Sequence, residues 1–228
     1  SLWVSIPSIN SGNNSICMYY GNSTATSGSD PHSVWNSDYG IVYHMDQLGN
    51  DSTSNGRDRV SDIDSPTHGN GFLGDYMIFD GNDAWDMTDI TYWENEWYER
   101  VHEITFKTSS DITTRQVLFA EGGSVNGVML YIYNGQLYAR WWAESGGWNG
   151  NHINTSISAN SFNHVVLDYS NPGNYELYIN GTRINSQSTT TSISQHTGNG
   201  GIGYTGSNTK DFHDTTTSGN YFDGTIYD

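Results

Sequence analysis

The feature that most constrains this chain is its rhythm. Apolar residues come in short runs, often alternating with polar ones, and each run is closed by a cluster of Gly, Asn, Ser, Asp or Thr. A two-residue period is that of a strand with one buried face, and short strands at regular spacing signal a two-sheet antiparallel β-sandwich. Strands are expected over residues 15–20, 40–45, 76–79, 100–107, 116–121, 128–133, 136–142, 163–169, 175–179 and 201–204. Asn134-Gly135 and Asn180-Gly181 each lie between such runs, and Asn-Gly readily adopts the positive φ angles of a type I′ hairpin turn. The Trp85, Trp93, Trp97 spacing supports at most one helical turn within residues 86–98.

A length of 228 residues fits one sandwich domain. Residues 1–36 read as an N-terminal extension packed on it, too short for a core of their own, and residues 37–228 as the sandwich. No run of about 18 apolar residues is present, so no helical membrane insertion is expected, and the first residues lack the basic and apolar regions of a signal peptide. The 25 acidic residues against 8 basic ones give a formal charge of −17, which disfavours nucleic acid and acidic membranes as partners. Polar acidic chains often fail to fold, but here 16 Tyr, 8 Trp and 7 Phe can supply a core. Cys17 is the only cysteine and lies in the apolar run Ile16-Cys17-Met18-Tyr19-Tyr20, so a buried thiol is expected.

Several passages resemble known families. The segment Val4-Ser5-Ile6-Pro7-Ser8-Ile9, followed by Ile16-Cys17-Met18-Tyr19-Tyr20-Gly21-Asn22 and Val34-Trp35, resembles DUF2341, a small domain of exported bacterial and archaeal proteins that precedes a laminin-G-like domain. From Tyr39 onward the chain resembles that second domain, a concanavalin A-like jelly roll. The carriers are Tyr43-His44-Met45-Asp46, Asp51-Ser52-Thr53-Ser54-Asn55-Gly56, Phe79-Asp80-Gly81-Asn82-Asp83, Asn163-His164-Val165-Val166, Glu176-Leu177-Tyr178-Ile179-Asn180-Gly181 and the closing Phe222-Asp223-Gly224-Thr225-Ile226-Tyr227-Asp228. The resemblance implies a strand continuing beyond Asp228, so the sandwich is read as lacking its last strand, with self-association through an open sheet edge as a consequence.

Catalysis finds little support in the residues. Retaining glycosidases need two carboxyl groups about 5 Å apart. His102-Glu103-Ile104-Thr105-Phe106-Lys107 resembles a β-glucanase strand, but Thr105 and Lys107 stand where the further acids belong. Glu94, Glu96 and Glu99 read as a solvated face, and no serine elbow, zinc motif or Walker loop occurs.

Binding features are richer. Trp141, Trp142, Trp148, Asn149 and His152 combine aromatic faces with amide and imidazole groups, a mixture suited to saccharides. Trp141 and Trp142 are adjacent on one strand and must point to opposite faces, so at least one belongs to the core. Asp80, Asp83 and Asp86 concentrate oxygen ligands in one turn, and the resemblance to laminin-G-like domains, which often carry calcium, makes these three the candidate metal ligands for a structural Ca2+; the equal alternative is that Asp80 and Asp83 cap the turn through side-chain to backbone hydrogen bonds. Five Asn-x-Ser/Thr sequons, at Asn13, Asn22, Asn50, Asn154 and Asn180, agree with an extracellular or cell-surface location. The expectation is a non-catalytic extracellular carbohydrate-binding or adhesion module whose partner is a glycan or surface protein. The alternatives are a structural subunit of a surface layer or filament and, less favoured, a glycan-cleaving enzyme.

Overall fold

Alternation in the sequence becomes two stacked sheets in the computed structural model, which describes residues 2–88, 90–143, 148–171, 173–188, 192–197, 200–210 and 216–228. The strands are β1 (Ser61–Ile63), β2 (Thr67–Gly71), β3 (Gly74–Asp80), β4 (Ala84–Asp86), β5 (Arg100–Thr108), β6 (Gln116–Gly122), β7 (Asn126–Tyr133), β8 (Gln136–Ala143), β9 (Trp148–Ser156), β10 (Phe162–Asn171), β11 (Asn174–Ile179), β12 (Thr182–Ser188), β13 (Gly201–Ile202), β14 (Thr205–Lys210), β15 (Thr216–Gly219) and β16 (Asp223–Tyr227). Two four-residue helical turns accompany them, α1 (Pro31–Val34) and α2 (Thr91–Glu94), the second inside the segment expected to hold one. One sheet has the order β1-β4-β13-β6-β7-β8-β9, the other β12-β11-β10-β5-β16-β3-β2, and β14 pairs with β15 in a separate hairpin.

The core lies between the sheets. On β7, Val128, Leu130 and Ile132 face inward, as do Leu137, Ala139 and Trp141 on β8; from the opposite sheet Met77, Phe79, Phe106, Val165, Leu167, Tyr175, Leu177 and Ile226 meet them. The intervening residues Met129, Tyr131 and Trp142 form a second buried cluster with Val117 and Ala120. β6 to β8 are therefore buried on both faces along most of their length, and β14 lies against β6. Both Asn-Gly turns form as expected. Asn134 (φ 49°) and Gly135 (φ 73°) join β7 to β8, and Asn180 (φ 51°) and Gly181 (φ 76°) join β11 to β12.

Three expectations are corrected. Residues 15–20 form no strand and lie exposed, Ile16 at 65 % and Tyr19 at 93 %. Cys17 is accordingly exposed, because the apolar run that suggested a buried thiol has no sheet to join among the described residues. Residues 40–45 contribute only an isolated bridge between Tyr43 and Asp51. The segment read as the start of the closing strand forms β16, which is central, pairing with β3 on one side and β5 on the other. The edges of the two sheets are β1, β2, β9 and β12.

Residues 2–30 are exposed throughout, so the extension is not buried against the sandwich along its length. It is tied down at Trp3, which packs on Trp35 and His44 and donates from Nε1 to Asp228 at 3.3 Å, and at His32, whose Nδ1 lies 2.7 Å from Thr53 O. No helix among the described residues is long and apolar enough to cross a membrane.

Candidate functional site

At one end of the sandwich the tip of β3, the β5–β6 loop and the start of β16 converge around an open depression of about 390 Å³. Its lining is Asp80, Gly81, Asp111, Thr114, Arg115, Gln116, Asn220, Tyr221 and Asp223. Each wall has a local cause. Asp111 and the two threonines after it form a self-capping turn: the Asp111 carboxylate accepts from Thr113 N (2.7 Å), Thr113 Oγ1 (2.8 Å), Thr114 N (3.2 Å) and Thr114 Oγ1 (2.5 Å). Those four donors, the Thr114 hydroxyl foremost, hold the Asp111 carboxyl far below the usual carboxylate range. Gln116 is buried and ties two walls together, donating from Nε2 to Asp111 O (2.8 Å) and accepting from Asp223 N at Oε1 (3.0 Å). Gly81 turns the chain out of β3 with φ 93°, which glycine adopts without steric cost, and its N–H donates to Phe222 O at 3.1 Å.

Asp80 and Asp223 are direct partners across the β3–β16 ladder, so both carboxylates project from the same face. The Tyr221 ring stacks on Tyr204, with 6.0 Å between centroids and 10° between planes. Arg115 also reaches over the Tyr133 ring, 4.8 Å from its centroid. The depression thus offers carboxylate and amide acceptors, guanidinium and amide donors, and an aromatic wall.

The structure separates the residues singled out from the sequence. Trp141 lies in the core, fully buried, its ring stacked 3.7 Å from that of Tyr175. Trp142 does point to the opposite face, as adjacency on a strand requires, but it too is fully buried and donates from Nε1 to Gly123 O at 3.1 Å. Neither is the exposed platform that the sequence suggested. His152 pairs with Arg140 across β8 and β9 and lies half-buried beside the Tyr138 ring. Trp148 and Asn149 have their backbone in β9, while their side chains lie outside the described residues.

Of the three candidate metal ligands, Asp80 and Asp83 share the turn after β3. Asp83 is buried and its Oδ2 accepts from Asp80 N at 3.4 Å; burial, and then the Asp80 charge, push its carboxyl up. Asp86 is engaged elsewhere, its Oδ1 accepting from Thr88 N (2.9 Å) and the Tyr204 hydroxyl (3.0 Å). Among the described residues no three His, Cys, Asp or Glu side chains converge, and Asp86 is held apart from Asp80 and Asp83. Asp80 and Asp83 cap the turn through side-chain to backbone hydrogen bonds.

Most of the depression was not singled out from the sequence. Asp111-Ile112-Thr113-Thr114 carries a local signal, that of a capped turn, but nothing local places it beside residues 220–223.

Two stacked antiparallel sheets place the protein in the β-sandwich class. The chain belongs to the concanavalin A-like lectin/glucanases superfamily, whose Laminin_G_3 family matches residues 104–228. Residues 1–58 match the domain of unknown function DUF2341, past the boundary expected at residue 36. No curated protein matches the sequence. Among solved structures, domain 4 of AbnA, a GH43 extracellular arabinanase from Geobacillus stearothermophilus solved with arabinotriose, is similar with a TM-score of 0.51 and 14 % identity, over 78 % of this chain and 85 % of that one. The binding domain of botulinum neurotoxin serotype D is similar with a TM-score of 0.51 and 14 % identity, over 78 % of this chain and 44 % of that one. At such identities the likeness is one of fold.

Proposed function

We propose that this chain is a non-catalytic carbohydrate-binding module acting outside the cell, and that the rim depression is its saccharide site. The observation that carries this reading is the lining itself. Asp80, Asp223 and Asn220 can accept from hydroxyl groups, Arg115 can donate to ring and hydroxyl oxygens, and Tyr221 can back the apolar face of a sugar ring. Superfamily membership agrees with it, and so does the fold shared with the AbnA domain, which was solved with an arabinose trisaccharide.

The non-catalytic part is supported by where the acids sit. Glu103 lies on the outer face of β5, pairs with His164 at 2.7 Å, and has Thr105 and Lys107 at the alternate positions of the same face. Asp111 stays ionised and so is unsuited to donate a proton. Hydrolysis would have to use Asp80 and Asp223, and because these two carboxylates face each other across neighbouring strands, the assay for released sugar decides between binding and cleavage.

Isothermal titration calorimetry against neutral oligosaccharides, with released reducing ends assayed in parallel, tests both parts. Binding without release is expected, and Tyr221→Ala should weaken it about tenfold, or about 1.4 kcal/mol, with Tyr98→Ala, at an exposed position outside the depression, unchanged. Absence of binding, or indifference to Tyr221→Ala, would reject the site; release of sugar would reject the non-catalytic reading.

A further inference from the structure

Within the proposed saccharide site, and resting on that reading, we infer a finer selectivity: the depression takes neutral sugars presenting neighbouring hydroxyls and turns away glycans that carry carboxylate or sulfate groups. Three carboxylates line it, Asp80, Asp111 and Asp223, against the single guanidinium of Arg115. The carboxylates divide into two roles. Asp111 spends both oxygens on the Thr113 and Thr114 donors and acts as a fixed negative charge that persists in mildly acidic solution.

Asp80 and Asp223 differ. Among the described residues the Asp80 carboxylate receives only the Asn82 N–H, at 3.4 Å, and no hydrogen bond reaches the Asp223 carboxylate. Directly opposed on neighbouring strands, they carry like charges at a position where such a pair weakens a sheet. Two hydroxyls on adjacent sugar carbons can donate one to each, forming charge-assisted hydrogen bonds that spread both charges. A uronate or sulfate brought to the same place meets them as a third like charge, in a protein whose formal charge is already −17. Rejection of that ligand follows from repulsion, not from shape.

The test compares cellohexaose, mannohexaose and galactohexaose, each with its C6-oxidised uronate form, by calorimetry on the full chain at low ionic strength and in 0.5 M salt. The neutral member of at least one pair should bind, with its oxidised form about tenfold or more weaker at low salt and the gap narrowing as salt screens the charges. The double variant Asp80→Asn/Asp223→Asn, checked for an unchanged circular dichroism spectrum, should bind the neutral sugar more weakly and lose most of the discrimination. An oxidised form that binds as tightly as its neutral counterpart overturns the inference while leaving the saccharide site standing. If no member of any pair binds, the saccharide reading falls and this inference with it.

Discussion

Replacing Arg100 with alanine is expected to lower the unfolding free energy by about 3–5 kcal/mol, read from urea denaturation monitored by tryptophan fluorescence. The reason is Glu121, which β6 places inside the sandwich with its side chain 1 % exposed. Arg100 Nη1 sits 2.8 Å from Oε2 and 3.1 Å from Oε1, Trp97 Nε1 donates to Oε1 at 3.0 Å, and His102 Nε2 lies 3.8 Å from Oε2. Burial alone would push the Glu121 carboxyl up, but the Arg100 charge, joined by His102, outweighs it and holds the group at about 2 against 4.5 when exposed. Without the guanidinium, a buried carboxylate keeps only Trp97 and His102, which is the costly way to break such a pair. Replacing both partners, Arg100→Met with Glu121→Leu, should cost much less than the single change.

The same group sets a pH dependence. A carboxyl held below its unfolded value contributes stability that is complete above pH 4.5 and is lost as pH falls from there towards 2. The difference between wild type and Arg100→Ala should therefore shrink across that window. His196 works on the same acid limb from higher pH. Burial lowers its imidazole below 6.5, so the unfolded chain takes up its proton first and stability falls as pH drops beneath that value. A difference between the two proteins that stays constant from pH 7 to pH 3 would exclude the assigned role of the ion pair.

Trp141→Ala is the second large effect, about 3–5 kcal/mol, corresponding to a fall in melting temperature of about 6–20 °C for a chain of this size. Trp141 is fully buried and stacked on Tyr175, itself 1 % exposed, so truncation leaves a cavity lined by Tyr175 and the facing aliphatic residues. This outcome separates core from site, since a surface sugar platform would lose affinity and keep its melting temperature. Differential scanning calorimetry showing an unchanged transition would move Trp141 back to the surface.

The fate of the tryptophans shows where local reading stops. Adjacent positions on a strand require Trp141 and Trp142 to face opposite ways, and they do. Whether the outer face is open depends on what lies over it, and Met129, Tyr131 and Trp142 are all fully buried there. Residues 15–20 make the opposite point. Their apolar, strand-like composition is real, yet a strand needs a neighbour to take its hydrogen bonds, and none is supplied among the described residues. The acidic turn makes a related point. Asp80, Asp83 and Asp86 are close in sequence, but β4 carries Asp86 away to meet Tyr204.

What the sequence alone determined is the sandwich class, the strands β3, β5 to β8, β10, β11 and β13, and the two Asn-Gly hairpins, because period, turn residues and side-chain bulk act over a few residues at a time. Tertiary structure decided which face is covered, that the terminal strand β16 is inserted between β3 and β5, and that Asp80, Asp111, Arg115, Gln116, Tyr221 and Asp223 share one depression. Those outcomes come from contacts between segments far apart in the chain, Asp80 and Asp223 among them, which no local pattern encodes.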